Sequence, residues 1–206
     1  MHLHRDTRIL IVGLGLLGGS YARALKKKGY TVLAIEKKAE SVSFALKEGI
    51  IDEGDTALRE DFIRRADLTV FALYPHVFLE WMEKNAHLFP EGSYLTDVTG
   101  VKGSIVSRIQ ALLPEGVEYI SAHPMAGREV GGVENSDDRI FSGANYIVVP
   151  TEKNTPEGIS LCKELGRELG FRSISLLTPE KHDEMIAFLS QLTHCIAITL
   201  MTCNDK

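Results

Sequence analysis

Cysteine is scarce in this chain. Cys162, Cys195 and Cys203 are the only three among 206 residues. Their number is odd and their spacing matches no metal motif, so they read as reduced thiols of a cytoplasmic protein, with no metal site expected. Basic runs are lacking too. The chain has 23 Lys and Arg against 28 Asp and Glu, a net charge of −5, which argues against a nucleic-acid partner. The N-terminal stretch from Met1 to Arg8 is polar and has no apolar h-region, so no secretory signal is expected. Internal repeats and low-complexity segments are absent as well. One long apolar run does occur, from Met185 to Thr202. Its length resembles a membrane span. Gln191 and His194 near its centre would be costly in lipid, so a helix buried in protein, with no membrane partner, is the expectation.

What is present is an ordinary globular composition, 44% hydrophobic and 25% charged, in a chain long enough to bury a core. The organising stretch is near the N-terminus. Arg8-Ile9-Leu10-Ile11-Val12 runs straight into Gly13-Leu14-Gly15-Leu16-Leu17-Gly18-Gly19-Ser20. An apolar strand that stops at glycine and gives way to a helix is what a dinucleotide-binding turn requires. Gly13 allows the tight turn, Gly15 lets backbone approach a pyrophosphate, and Gly18 lets helix and strand pack closely. The free N–H groups at Leu16 and Leu17 then face the phosphates. A second strand, Thr31 to Ile35, ends in Glu36, close to the roughly 20-residue offset of the acid that bonds the adenosine ribose. Glu36 favours NAD over NADP, although Lys37 and Lys38 could pair with a 2′-phosphate.

Strands and helices alternate along the rest. Helices are expected at Leu16–Lys28, Ala39–Lys47, Asp61–Arg65, His76–Leu88, Val101–Leu113 and Pro156–Leu169. Strands are expected at Ile50-Ile51, Leu68–Leu73, Ser93–Asp97, Glu118–Ser121, Tyr146–Val149 and Arg172–Leu176, with a long loop from Met125 to Gly143. This is the pattern of an α/β chain with a Rossmann-type, doubly wound, mostly parallel sheet. Thr178-Pro179-Glu180 reads as the start of a last helix, reaching to about Cys203. The expected division is a dinucleotide-binding domain at 1–177 and, at 178–206, the first helix of a helical dimerisation domain whose remainder is absent. That helix is apolar on nearly every side, so it should pack into a partner chain or into further helices.

Ligands of open α/β sheets bind beyond the carboxyl ends of the strands. Leu73, at the end of the fourth strand, and Pro75, just past it, are expected cofactor contacts together with Gly13, Gly15, Leu16, Leu17, Gly18 and Glu36. Thr99 offers a hydroxyl beside the expected nicotinamide, or else serves a local turn. His123 follows a strand and precedes Pro124; from position alone it either faces a substrate as acid or base or merely caps the strand. Lys102 could hold an anion, but in a first helical turn it is expected to be solvated, and His182 is expected to be exposed. His194, in its apolar stretch, needs a hydrogen-bond partner and is either a satisfied core histidine or a substrate contact.

Three segments together resemble the prephenate/arogenate dehydrogenases, the TyrA family: Val12 to Ser20, Thr96-Asp97-Val98-Thr99-Gly100-Val101-Lys102, and His123-Pro124-Met125-Ala126-Gly127-Arg128-Glu129. Phe141-Ser142-Gly143, His182-Asp183 and Ser190-Gln191-Leu192-Thr193-His194 follow in the family order. The resemblance implies NAD(P)-dependent oxidative decarboxylation of prephenate to 4-hydroxyphenylpyruvate, or of arogenate to tyrosine. It implies His123 and Thr99 as catalytic residues, Glu129 and His194 as substrate contacts, and a homodimer through C-terminal helices. This chain departs from the family at Gly100, where serine is frequent, and at Gln191, where histidine is common. A substrate-binding arginine is expected beyond Lys206. The alternatives are a non-catalytic NAD(P)-binding module and a relative of the 3-hydroxyacid dehydrogenases. The latter lacks support from any Gly-x-x-x-Lys helix.

Overall fold

A computed structural model describes residues 2–203. Residues 204–206, the end of the expected helical segment, and the side chain of Gln191 lie outside the described residues. Six strands form a parallel sheet: β1 (Arg8–Val12), β2 (Thr31–Ile35), β3 (Glu53–Asp55), β4 (Leu68–Phe71), β5 (Tyr94–Asp97) and β6 (Glu118–Tyr119). Their spatial order is β3-β2-β1-β4-β5-β6. The chain order reverses between β1 and β4, so the loops after these two strands flank a crevice. Helices α1 (Leu16–Lys27), α2 (Ala39–Lys47), α3 (Glu60–Arg65), α4 (Pro75–Asn85) and α5 (Val106–Leu112) make the crossovers.

The strands read as unbroken apolar runs because both faces of the sheet are covered. The pleat sorts them. Ile9 and Ile11 of β1 enter one core with Val32, Ala34 and Val70. Leu10 and Val12 enter the other with Leu33, Ile35, Phe71 and Leu95. The third strand is not Ile50-Ile51. Those two residues are buried as core, and the strand forms three residues later, where Glu53 reaches register with Leu33.

The last strands leave the main sheet. β7 (Ser121–Met125), β8 (Asn145–Val149) and β9 (Ser173–Leu176) form a separate three-stranded sheet in which β7 and β8 are antiparallel. The segment from Glu118 to Met125 begins in one sheet and ends in the other, with Ile120 at the bend still donating to Leu95. The expected long loop after Met125 contains 3₁₀ turns at Val133–Asn135 and Asp138–Phe141. It is pinned to α1 by Arg23 donating to Ser136 at 2.8 Å and by the Asp137 amide donating to Ser20 at 3.0 Å.

Helix α6 (Pro156–Glu168) is capped by Thr155. The final helix starts as α7 (Pro179–Ile186) with Thr178 as its cap, passes through a π turn at Ala187–Gln191, and continues as α8 (Leu192–Cys203). By length and composition, Pro179–Cys203 is long and apolar enough to cross a membrane. The expectation that it is buried fails within this chain, because no residue of α8 is buried. Phe188 of the π turn and Ile198, Leu200 and Met201 of α8 are among the exposed side chains.

Candidate active site

Two loops from the carboxyl end of the parallel sheet and one strand of the second sheet build the site. The first is the glycine turn. Gly13 has φ +98°, and a Cβ there would lie 2.6 Å from the Ala72 carbonyl and 2.9 Å from Leu73 Cδ2. A Cβ on Gly18 would lie 1.9 Å from the Gly13 carbonyl oxygen. These two positions therefore tolerate only glycine. A Cβ on Gly15 would meet nothing within 4 Å, so the space in front of α1 is open. The helix has no side-chain cap at its start, which leaves the first-turn N–H groups, including those of Leu16 and Leu17, to face that space. Glu36 folds back on the turn: its carboxylate accepts from the Leu14 amide at 2.7 Å and the Lys38 amide at 3.0 Å. Leu73 packs on the turn and Pro75 opens α4. Strand, turn, open helix start and acid together suit a dinucleotide.

The second loop follows β5 and is built around a buried ion pair. Asp97 and Lys102 have no solvent exposure and are paired at 2.9 Å. One carboxylate oxygen accepts from Tyr119 Oη at 2.8 Å, Ser121 Oγ at 2.6 Å and the Ala122 amide at 3.1 Å. The other accepts from the Thr99 amide at 2.9 Å, the Thr99 hydroxyl and Lys102 Nζ. Lys102 Nζ also donates to Thr99 Oγ1 at 3.2 Å and to the Ala122 carbonyl at 2.7 Å. Burial alone would raise the Asp97 carboxyl; the Lys102 ammonium and the Ser121 and Thr99 hydroxyls outweigh it and hold the group below its usual range. Lys102 is thus not the solvated helix-start lysine the sequence suggested. The loop winds around this pair, so α5 begins at Val106 rather than Val101. Thr99 is buried too, with its hydroxyl committed to Asp97 and Lys102.

The third element is β7. It carries His123 in the strand itself, opposite Ile147 of β8. Lys102 is tied to the neighbouring Ala122 carbonyl, which joins the β5 loop to β7. A Cβ on Gly100 would stand 3.6 Å from His123 Nε2; that ring nitrogen makes no hydrogen bond among the described residues. Burial, followed by the nearby Lys102 charge and His182, pushes the His123 imidazole down to about 4. His123 is therefore neutral near pH 7.

His182 is the main surprise. It is 0% exposed, against the expectation of an exposed ring near the helix start. Its Nε2 lies 2.8 Å from His123 Nδ1, and its own Nδ1 lies 2.8 Å from Asp183 Oδ1. Asp183 in turn accepts from the backbone amides of Lys102 at 2.9 Å and Gly103 at 2.8 Å. The signal for His182 was its spacing: His182 and Ile186, four residues apart, form the buried stripe of α7. Glu129 lies exposed on the loop after His123. His194 is exposed on α8, where its Nδ1 lies 2.9 Å from the Ser190 carbonyl. It stands three helical turns beyond His182, roughly 18 Å along the axis, so this chain does not bring it to His123. No group of three or more His, Cys, Asp or Glu among the described residues is placed to hold a metal ion.

Comparison with known proteins agrees with this geometry. The profile of the family described as prephenate dehydrogenase, nucleotide-binding domain, matches residues 21–175. Prephenate dehydrogenase from Bacillus subtilis is 31% identical over 204 residues, covering 98% of this chain and 54% of that protein. The crystal structure of prephenate dehydrogenase from Aquifex aeolicus, in complex with hydroxyphenyl propionate and NAD⁺, superposes with a TM-score of 0.88 at 31% identity, covering 98% of this chain and 70% of that one. Synechocystis arogenate dehydrogenase superposes at 0.87 with 26% identity, covering 97% and 70%. The chain spans about half the length of the Bacillus relative. Glycine turn, strand-borne histidine and whole-chain likeness converge: the chain belongs to the prephenate dehydrogenase family and carries its nucleotide-binding domain.

Proposed function

We propose that this protein serves NAD⁺-dependent oxidative decarboxylation of prephenate to 4-hydroxyphenylpyruvate, a step of tyrosine biosynthesis. The observation that carries the proposal is His123: a half-buried, neutral imidazole whose Nε2 makes no hydrogen bond among the described residues and lies beside Gly100 of the loop after β5. Gly13, Gly15, Leu16, Leu17, Gly18, Glu36, Leu73 and Pro75 are the proposed cofactor contacts. NAD⁺ bound there supplies the acceptor for the hydride that leaves the hydroxyl-bearing ring carbon. His123 Nε2 takes the proton of that hydroxyl. Loss of CO₂ from the opposite ring carbon leaves its electron pair to aromatise the ring, and the proton returns to the phenol oxygen. Aromatisation makes this strongly downhill, so a weak base suffices and the protein mainly orients the reactants. Thr99 contributes by holding the Asp97–Lys102 pair through its amide and hydroxyl.

Glu129 and His194 are the proposed substrate contacts. His194 needs its exposed helix to be packed against another chain, and we assign that role to a second copy. The exposed apolar side chains of α8 support a homodimer. The three free thiols support a cytoplasmic location. Prephenate-dependent and arogenate-dependent NADH formation, each also measured with NADP⁺, tests the proposal. NAD⁺ binding without turnover of either acid would point to a non-catalytic module instead.

A further inference from the structure

The proposed chemistry requires a lone pair on His123 Nε2. A neutral imidazole has one proton and two nitrogens, and the hydrogen bond made by one nitrogen decides which carries it. In water the Nε2–H form of histidine predominates, which is the wrong form here. The structure contains a chain of groups that reverses this preference. Asp183 is an ionised carboxylate: burial favours its neutral form, but the Gly103 and Lys102 amides and the His182 ring outweigh that and hold its carboxyl low. A carboxylate only accepts. His182 must therefore place its proton on Nδ1, 2.8 Å from Asp183. That leaves a lone pair on His182 Nε2, and His123 Nδ1 at 2.8 Å must donate to it. The lone pair of His123 is then on Nε2, beside Gly100.

We propose that His182 and Asp183 are positioning residues that fix His123 as its Nδ1–H tautomer and thereby present the basic nitrogen to the substrate. The inference rests on His123 being the base of the proposed reaction. The same chain has a second consequence. Asp183 is anchored on the backbone of the β5 loop, and both relay residues belong to the first turns of the final helix. The base is thus aligned by the segment after residue 177, on the far side of the expected domain boundary. The charged neighbours, Lys102 from the β5 loop and Asp97 from β5, are locked onto one another. They do not compete for either ring.

The test reads the tautomer directly, by ¹⁵N chemical shifts of the imidazole nitrogens in the labelled 206-residue chain near pH 7. The wild-type chain is expected to show His123 protonated on Nδ1. His182→Leu removes the acceptor, and His123 should revert mainly to Nε2–H. His182→Gln keeps an acceptor and a donor at the same place and should retain Nδ1–H. Asp183→Ala leaves both rings in position but removes the anchor, so it should give a mixture. It serves as the second test if His182→Leu does not fold. In protein that turns over prephenate, His182→Leu should lower kcat by roughly 10²–10⁴-fold with KM for prephenate near wild type. Nε2–H in the wild-type chain, or an unchanged tautomer in a folded His182→Leu or Asp183→Ala variant, overturns the proposal. Absence of NADH formation alongside an Nδ1–H ring would instead overturn the dehydrogenase reading and leave the relay standing.

Discussion

Lys102→Met offers the sharpest test of how the site is built. The change keeps an unbranched side chain of similar length and removes a charge that has no access to water. Three hydrogen bonds are lost, to Asp97, Thr99 and the Ala122 carbonyl. Asp97 remains as a buried carboxylate without a counter-ion. Breaking a buried pair from one side costs about 3–5 kcal/mol, a large part of the roughly 5–15 kcal/mol that holds a domain together. With a urea m-value of about 3 kcal/mol/M, the unfolding midpoint near pH 7 should fall by roughly 1–2 M. The pH dependence carries the more specific signature. In the wild-type protein the folded-state value of Asp97 is depressed, so its contribution is present above the unfolded value of roughly 3.9 and is lost as pH falls. Without the ammonium, burial raises Asp97, and the folded variant binds its proton more readily. The stability gap between the two proteins should therefore widen as pH rises and narrow as it falls towards 4. Asp97→Asn added to Lys102→Met removes the unpaired charge and should recover part of the loss. A midpoint shift below about 0.3 M, or a gap that does not change with pH, would refute the argument that the pair is a charged, interdependent unit.

His123→Asn should lower kcat by roughly 10²–10⁴-fold with cofactor affinity nearly unchanged. In the wild-type enzyme the acid limb of kcat/KM should fall at about pH 4 rather than near the ordinary histidine value, because His123 must be unprotonated to act and burial pushes it down to about 4. Gly18→Ala places a methyl group 1.9 Å from the Gly13 carbonyl, so isothermal titration should find NAD⁺ binding abolished. Glu36 should favour NAD⁺ over NADP⁺ by repelling a 2′-phosphate; tighter NADP⁺ binding in the same titration removes that role. Light scattering should show self-association through the final helix, and Leu200→Glu with Met201→Lys should reduce it.

The sequence by itself determined the parallel sheet and the glycine turn, while His123, expected just past a strand end, lies inside β7 of the second sheet. The first two are local matters: apolar runs and a glycine pattern depend on neighbours a few residues away. The same locality explains what was misread. Lys102 looked like any lysine at a helix start, because its partner Asp97 closes on it only when the β5 loop winds around the pair. His182 looked like a polar residue in a first helical turn, because its partner His123 is 59 residues away. The strand near Glu53 formed away from the more apolar Ile50-Ile51, because register with β2 outweighed local preference. The tertiary structure alone decided that the Asp97–Lys102 pair is tied to the Ala122 carbonyl beside His123, and that His182 and Asp183 line up behind its imidazole. Buried polar groups must find partners, and the partners that satisfy them here come from the main sheet, the second sheet and the final helix.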